Sequence, residues 1–537
     1  MRGIVITFVA LAVLGAQSVE ISGERMRAHI KFLADDLLEG RGAGTRGGQL
    51  ATRYIATQLA LNGARPAGDN STYFQKVPLI GAETQPSATL SAKGDGKTAQ
   101  FRWLDDFVGV GQRQQPDVTL DGDVVFVGHG ISAPEFDWDD YRGLDVAGKV
   151  LVLFTNEPPS NDPAFFGGAA LTYYGRWTYK YEEAARRGAQ AVFIIHTIST
   201  AGYPFDVVRS SWGKEDPQLR LGSGERALAF AGWLTEEAGQ RLLAMSGKDL
   251  NELLAASNSR DFRPIALGIH MRGSMPTRLR PLESENVLAL VPGRDPALKD
   301  QVVVFTAHWD HLGIGTPVNG DRIYNGAVDN ASGCGVLLEL ARAWSNLNPK
   351  PRRSALFLAV TAEEAGLRGS AYYAHHPVVP ASKTAVDINF DSVLPFGRTK
   401  DVFLTGADRT TLWPLVQRAA SELQVEITPE AHPEQGHYYR SDHFSMAQAG
   451  IPAFTISLGT KLEGKPASYG EQVAEEFNAK HYHQPSDEYD DNWNMNGMEQ
   501  VVQLGLRIGL DAANRDKLPS WRPGDEFLPA REASGVK

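Results

Sequence analysis

Five short segments gather histidine, aspartate and glutamate in an order that could hold metal ions. The first is QVVVFTAHWDHLGIG, residues 301–315. Its β-branched and apolar run at 302–305 predicts a buried strand, which delivers His308, Asp310 and His311 to its carboxyl end. NGAVDNASGCG, residues 325–335, follows with Asp329 on the next turn and Ser332 placed to cap the helix after it. TAEEAGLRGS puts the adjacent Glu363 and Glu364 directly after LFLAV, and DINFDSV puts Asp391 just past another apolar run. KHYHQPSDEYD, residues 480–490, adds His483 and Asp487 around Pro485. Imidazole and carboxylate at the carboxyl ends of strands is where open α/β sheets place their ligands.

The chemistry such a set could perform is two-metal hydrolysis. Two zinc ions roughly 3.5–4 Å apart polarise a carbonyl and clamp a tetrahedral intermediate. Zinc takes histidine nitrogen and carboxylate oxygen, and a catalytic site keeps one position open for water. The pair calls for histidine and carboxylate on each metal, a shared carboxylate, and a free one to handle the proton. Side chains of neighbouring residues diverge, so one of Glu363 and Glu364 can coordinate while the other faces the water. Taken singly, each segment has a blander explanation: a solvated acidic pair, or for Asp329 a turn beside a helix cap. Only the five together, ordered at strand ends, make a site.

The elements that must position these groups follow from the rest of the chain. At 537 residues it exceeds what one hydrophobic core supports, so more than one domain is expected. The net charge of −11 argues against a nucleic-acid partner, and a single cysteine, Cys334, excludes an intrachain disulfide or a multi-cysteine zinc site. Arg2, the uncharged apolar run at 3–16 and the small residues Ala16 and Ser18 read as a secretory signal over residues 1–18. No other stretch is long and apolar enough to cross a bilayer. The expected product is an exported protein, periplasmic or extracellular.

Residues 24–40 carry apolar positions at helical spacing, the glycine-rich 41–48 reads as a loop, and 49–63 resumes helical periodicity. Together, residues 19–86 form the N-terminal helical part of the main domain. From 87 to 282 short β-like runs, among them 123–131, 149–154 and 191–197, alternate with polar loops and a short helix at 179–189. This is an inserted, β-rich module. His129 and His196 lie in apolar strand contexts there and read as packed, hydrogen-bonded core histidines. Over 283–515 strands at 301–306, 354–361, 384–390 and 452–457 alternate with helices at 332–347, 367–375, 411–423 and 497–514. The expected fold class is α/β, a mixed, largely parallel sheet flanked by helices. The tail, 516–537, is rich in proline, glycine and charge and is expected to cover the surface.

In this order, AHWDHLG, GAVDNASG, TAEEAGLRGS, NFDSV, RSDHFSMAQAGIP and YHQPSDEYD resemble the co-catalytic di-zinc exopeptidases of metallopeptidase family twenty-eight. The resemblance covers about residues 283–512, together with the helical stretch 26–79. It implies the zinc-exopeptidase fold, peptide substrates and two zinc ions. His308 and Asp391 would bind one ion, Glu364 and His483 the other, and Asp329 would bridge them. Glu363 would be the general base, Asp310 the carboxylate that orients His308, and Tyr482 a donor to the developing oxyanion. His311 has no family role and is read as structural, and His443 in RSDHF stays outside the site. Gln484 stands where the family commonly has threonine, and Cys334 is expected to be buried and inert. The inserted segment resembles a protease-associated domain in GLDVAGKVLVLF and KYEEAARRGAQAVFIIH, longer than a minimal copy around 165–223. Such domains are non-catalytic lids.

Aminopeptidase activity is the expected function. A carboxypeptidase of the glutamate carboxypeptidase branch is the alternative, with Arg440 a candidate for the substrate carboxylate. A non-catalytic receptor and a single-zinc glutaminyl cyclase on the same fold stand further off, since both ligand sets are complete.

Overall fold

The computed structural model describes residues 19–536 apart from 163 and 431, so the secretory signal expected at 1–18 lies outside the described residues. Two largely parallel sheets share one antiparallel strand, Ile265–Val291, 27 residues long. On one side of it the strand order runs Ser354–Val360, Val302–His308, Thr384–Asn389, Ala453–Thr455, mutually parallel, with Ser354–Val360 antiparallel to the long strand. On the other side it runs Asp117–Phe126, Val150–Phe154, Ala191–Ile195 and Phe230–Leu234, parallel among themselves, closed by the antiparallel Phe107–Val110. This is the mixed, mostly parallel, helix-flanked architecture that the alternating pattern predicts, with a second β unit built onto it.

The strands of the first sheet are near-continuous apolar runs because helices cover both faces. One face packs Val303, Phe305 and Phe357 against Ile30, Ile55, Leu337 and Val502 from four helices. The other packs Val304, Leu356 and Leu358 against Phe444, Met446 and Trp521. In the second sheet Val150, Val152 and Phe154 face one core and Leu151 and Leu153 the other, so those strands are buried on both sides too.

Three expectations change. The helix expected over 24–40 stops at Leu33 and gives way to a 3₁₀ segment, Asp36–Arg41. The glycine run read as loop instead starts the helix Arg46–Leu61, with the Thr45 hydroxyl capping the Gly48 amide. Those glycines serve contact rather than freedom: a Cβ on Gly47 would stand 1.7 Å from the Leu38 carbonyl oxygen. The tail is not merely a surface cover. Trp521 is buried, and the buried Arg531 donates to the carbonyls of Ala381, Thr384 and Pro519.

Candidate metal centre

All five predicted metal ligands converge at the carboxyl edge of the parallel sheet. His308 ends its strand, Asp391 lies two residues past Thr384–Asn389, and Glu363 and Glu364 follow Ser354–Val360. Asp329 sits in the turn that opens the helix Gly333–Ser345, and His483 follows the helix Tyr469–Lys480. The Asp329–Asn330 peptide is cis.

Their atoms form two donor sets that share one residue. His308 Nε2 lies 3.2 Å from Asp329 Oδ1 and 3.3 Å from Asp391 Oδ1. His483 Nε2 lies 3.4 Å from Asp329 Oδ2 and 3.0 Å from Glu364 Oε2. Zinc–nitrogen and zinc–oxygen bonds of about 2.0–2.1 Å make a tetrahedral edge of roughly 3.3 Å, close to these separations. The two oxygens of Asp329 thus point to different histidines, as a bridging carboxylate requires. The donor sets fit divalent metal. His308 with Asp329 and Asp391, His308 with Glu363 and Glu364, and His311 with Asp329 and Glu364 each bring their donor atoms within 4.8 Å of one another.

Electrostatics follow from placing acids and imidazoles together out of water. Burial opposes charge on His308, but Glu363, Asp391 and Asp329 overcome it and hold the imidazole well above its ordinary range. His483 is raised to about 10, where Glu364 and Asp329 again outweigh burial. Burial would raise Asp329, yet its hydrogen bonds to both histidines hold it below the usual carboxylate range. Glu363 goes the other way. Burial lifts it well above that range, against the pull of His308, because no imidazole is as close. Its Oε2 is 3.8 Å from His308 Nε2, outside the tight sets.

Two supporting roles differ from expectation. Asp310 steadies His308 through its backbone carbonyl, 3.1 Å from Nδ1, while its carboxylate stands 4.0 Å off and accepts from the Glu363 amide at 3.1 Å. The loop turns the Asp310 side chain toward the next strand end, so it ties the two metal loops together. Ser332 does not cap the following helix. Its hydroxyl donates to the Val328 carbonyl and accepts from the Val393 amide, and the Asn330 side chain takes the Gly333 amide instead.

His311 belongs to the site rather than to the scaffold. It is fully enclosed, and its Nδ1 lies 2.5 Å from Glu364 Oε1, the oxygen that does not face His483. The line of approach is off that of a hydrogen bond, and Nε2 has no protein partner among the described residues. Asp487 is also recruited: its two oxygens accept the amides of Val328 and Asp329 at 2.9 and 3.0 Å. Burial raises its carboxyl to about 7. Arg41 gives the loops a common anchor, donating to the carbonyls of Leu33, Trp309, Asn325 and Gly326. Pattern alone signals His311 only by its spacing of three from His308, and Arg41 not at all.

The second β unit walls the site. A cleft of about 230 Å³ runs from Glu363, Tyr482 and His483 to Arg176, Trp177 and Trp212 of that unit. Tyr482 stacks on His483 at 4.0 Å between ring centroids. Lys214 reaches across and donates to the Leu312 carbonyl at 2.8 Å, and the Tyr173 ring packs 4.8 Å from Phe444.

The profile of peptidase family M28 matches residues 286–506. Over 206 residues the chain is 28% identical to leupeptin-inactivating enzyme 1 of Streptomyces exfoliatus, covering 38% of this chain and 42% of that protein. Over 240 residues it is 24% identical to aminopeptidase YwaD of Bacillus subtilis strain 168, covering 44% and 46%. The chain thus spans less than half the length of these curated relatives. The solved aminopeptidase from Aneurinibacillus sp. strain AM-1 shares the fold at a TM-score of 0.52 and 21% identity, over 94% of this chain and 97% of that one.

Proposed function

We propose, taking as premise that residues 286–506 belong to peptidase family M28, that the protein is an exported zinc aminopeptidase with two metal ions. The observation that carries the reading is Asp329, whose two carboxylate oxygens face His308 and His483 separately. His308 and Asp391 would hold one ion, His483 and Glu364 the other, with Asp329 between them. When bound, the metal pair supplies Lewis acidity, polarising the scissile carbonyl and lowering the pKa of a water.

This chain's own groups do the rest. Glu363 is the nearest carboxylate outside both tight sets, so it is free to accept the water's proton and return it to the departing amine. The Tyr482 phenol, which burial keeps protonated by raising it well above its ordinary range, donates to the oxyanion. Asp310 and Asp487 fix the loops through backbone amides. The inserted unit acts as a protease-associated lid, and the leader at 1–18 supports export.

A panel of aminoacyl-anilides and N-blocked peptides, assayed with and without chelator alongside a metal count, tests the reading. Chelator-sensitive cleavage confined to free-amine substrates, with two metals per chain, is expected. Cleavage confined to N-blocked peptides redirects the reading to a carboxypeptidase. One metal per chain points to a cyclase-like site, and activity without metal overturns the account.

A further inference from the structure

One stretch of the inserted unit, residues 171–176, reaches the cleft without the support of a long helix or strand. Its only regular element is the 3₁₀ turn Tyr173–Gly175. Tyr173 and Arg176 line the cleft. The Tyr173 ring lies 4.8 Å from Phe444 and 6.2 Å from Tyr439, and the Leu171 amide donates to the Pro433 carbonyl at 2.9 Å. A segment with so few repeating backbone bonds takes its position from what grips it.

The grip comes from behind. Glu157 Oε1 accepts the Thr172 amide at 2.8 Å, and Oε2 accepts the Thr172 hydroxyl. Lys180 Nζ donates to the Tyr174 carbonyl at 2.6 Å and to the Asn156 carbonyl at 2.8 Å. The Gly175 carbonyl accepts the Asn156 amide at 2.9 Å and the Thr155 hydroxyl at 3.2 Å. Residues 172, 174 and 175 are thus each tied to Lys180 or to residues 155–157, which follow the strand Val150–Phe154. Lys180 is fully buried, and Glu157 and Asp140 are buried with it. Burial brings the ammonium down to about 7, against the pull of Asp140 and Glu157. Burial likewise lifts both carboxyls to about 7, against the hydrogen bonds each accepts. Charges kept from water are costly, and apolar side chains would pack there without that cost. What an apolar side chain lacks is the donors that draw a carbonyl of the turn to a carbonyl of the strand end.

We propose that Lys180 and Glu157 are positioning residues: they hold residues 172–175 against the strand end and so set where Tyr173 and Arg176 stand in the substrate cleft. This rests on the peptidase reading. Neither residue lines the cleft, and the carboxylates and imidazoles of the metal centre come from other elements. Loosening the clamp therefore lowers the share of molecules whose wall is ready for substrate, which weakens binding by that share and leaves the chemical step alone.

Steady-state kinetics on an aminoacyl-anilide and a tripeptide, with a metal count and a melting curve for each variant, test this. Lys180→Met and Glu157→Ala should each raise KM about tenfold or more, the worth of a hydrogen bond to a charged group. Over the same variants kcat and the metals per chain should stay within about twofold of the parent. Glu157→Gln, whose amide oxygen still accepts the Thr172 amide, should restore part of the lost affinity. Thr172→Val removes only the hydroxyl and should give a smaller rise in the same direction, so it carries the comparison if Lys180→Met does not fold. KM unmoved in folded variants overturns the proposal. So does a fall in kcat or metal content alongside the rise in KM, which marks general damage rather than a misplaced wall. A parent that cleaves neither substrate sinks the peptidase reading and the clamp with it, whereas an active parent with KM unmoved in the variants sinks the clamp alone.

Discussion

Both β units place a histidine at or just past the end of a parallel strand, yet only one rings it with carboxylates. In the inserted unit His129 meets the Thr155 carbonyl at 3.3 Å and the Asn258 side-chain oxygen at 2.9 Å, and His196 meets the Tyr203 carbonyl at 3.0 Å. Neutral partners satisfy them, and burial lowers both. At the edge of the first sheet His308 has the same strand-end position, but three neighbouring elements each contribute a carboxylate and reverse the direction of its shift. A parallel sheet with helices on both faces therefore offers the location. What converts it is acid delivered from adjacent strands at the same edge.

The difference is broken most completely by removing the one acid outside both tight sets. Glu363→Gln should lower kcat by about 10²–10⁴-fold while the metal content, read by elemental analysis, stays that of the parent. Loss of metal along with activity would mean that Glu363 is a ligand. Weakening the support should act on affinity first. His311→Ala and Asp487→Asn are each expected to lower metal affinity about 10–100-fold in a chelator competition, and unchanged affinity in His311→Ala would return that residue to the scaffold.

The inserted unit's histidine yields a pH effect of opposite sign to the metal site's. Burial first, and the Lys180 charge second, bring His129 from 6.5 down to about 4. The unfolded chain then binds the extra proton across this window, so stability rises with pH from about 4 to 6.5 and is lost as pH falls. At 1.36 kcal/mol per pH unit the contribution is about 3 kcal/mol. His129→Gln should flatten the melting temperature across that window, and an unaltered slope would assign the acid sensitivity elsewhere. The smallest effect belongs to Cys334, whose thiol burial raises to about 12 and whose sulfur donates to the His308 carbonyl at 3.3 Å. It should resist alkylation in the native protein, and Cys334→Ala should cost about 1 kcal/mol in denaturant titration.

The repeating elements of the unit at 283–515 were legible because strands buried on both faces need unbroken apolar runs. The expected strand at 354–361 is observed as Ser354–Val360, and the helix at 497–514 as Asn496–Asn514. The acids and imidazoles that gather were legible because their spacing is set by those elements. Contacts between distant segments were not. Nothing local reveals that Gly47 abuts the Leu38 carbonyl, that the Asp310 carboxylate turns to the Glu363 amide, or that His311 closes on Glu364. Arg176 and Arg440 stand 264 positions apart (440 − 176) and line one cleft only because one sheet is built beside the other.

The long strand Ile265–Val291 is paired residue by residue with Phe74–Thr84, from Thr277 opposite Thr84 to Val287 opposite Phe74. Its earlier part, from Ile265 to Pro276, is laddered to Asp117–Phe126. The long strand thus crosses from one unit into the other, changing partner between Pro276 and Thr277. A wall mounted on such a beam is tied to the first sheet through the backbone as well as through packed side chains. The spacing between Arg176 and the metal-binding edge, which line one cleft, is thereby set by backbone pairing rather than by side chains alone.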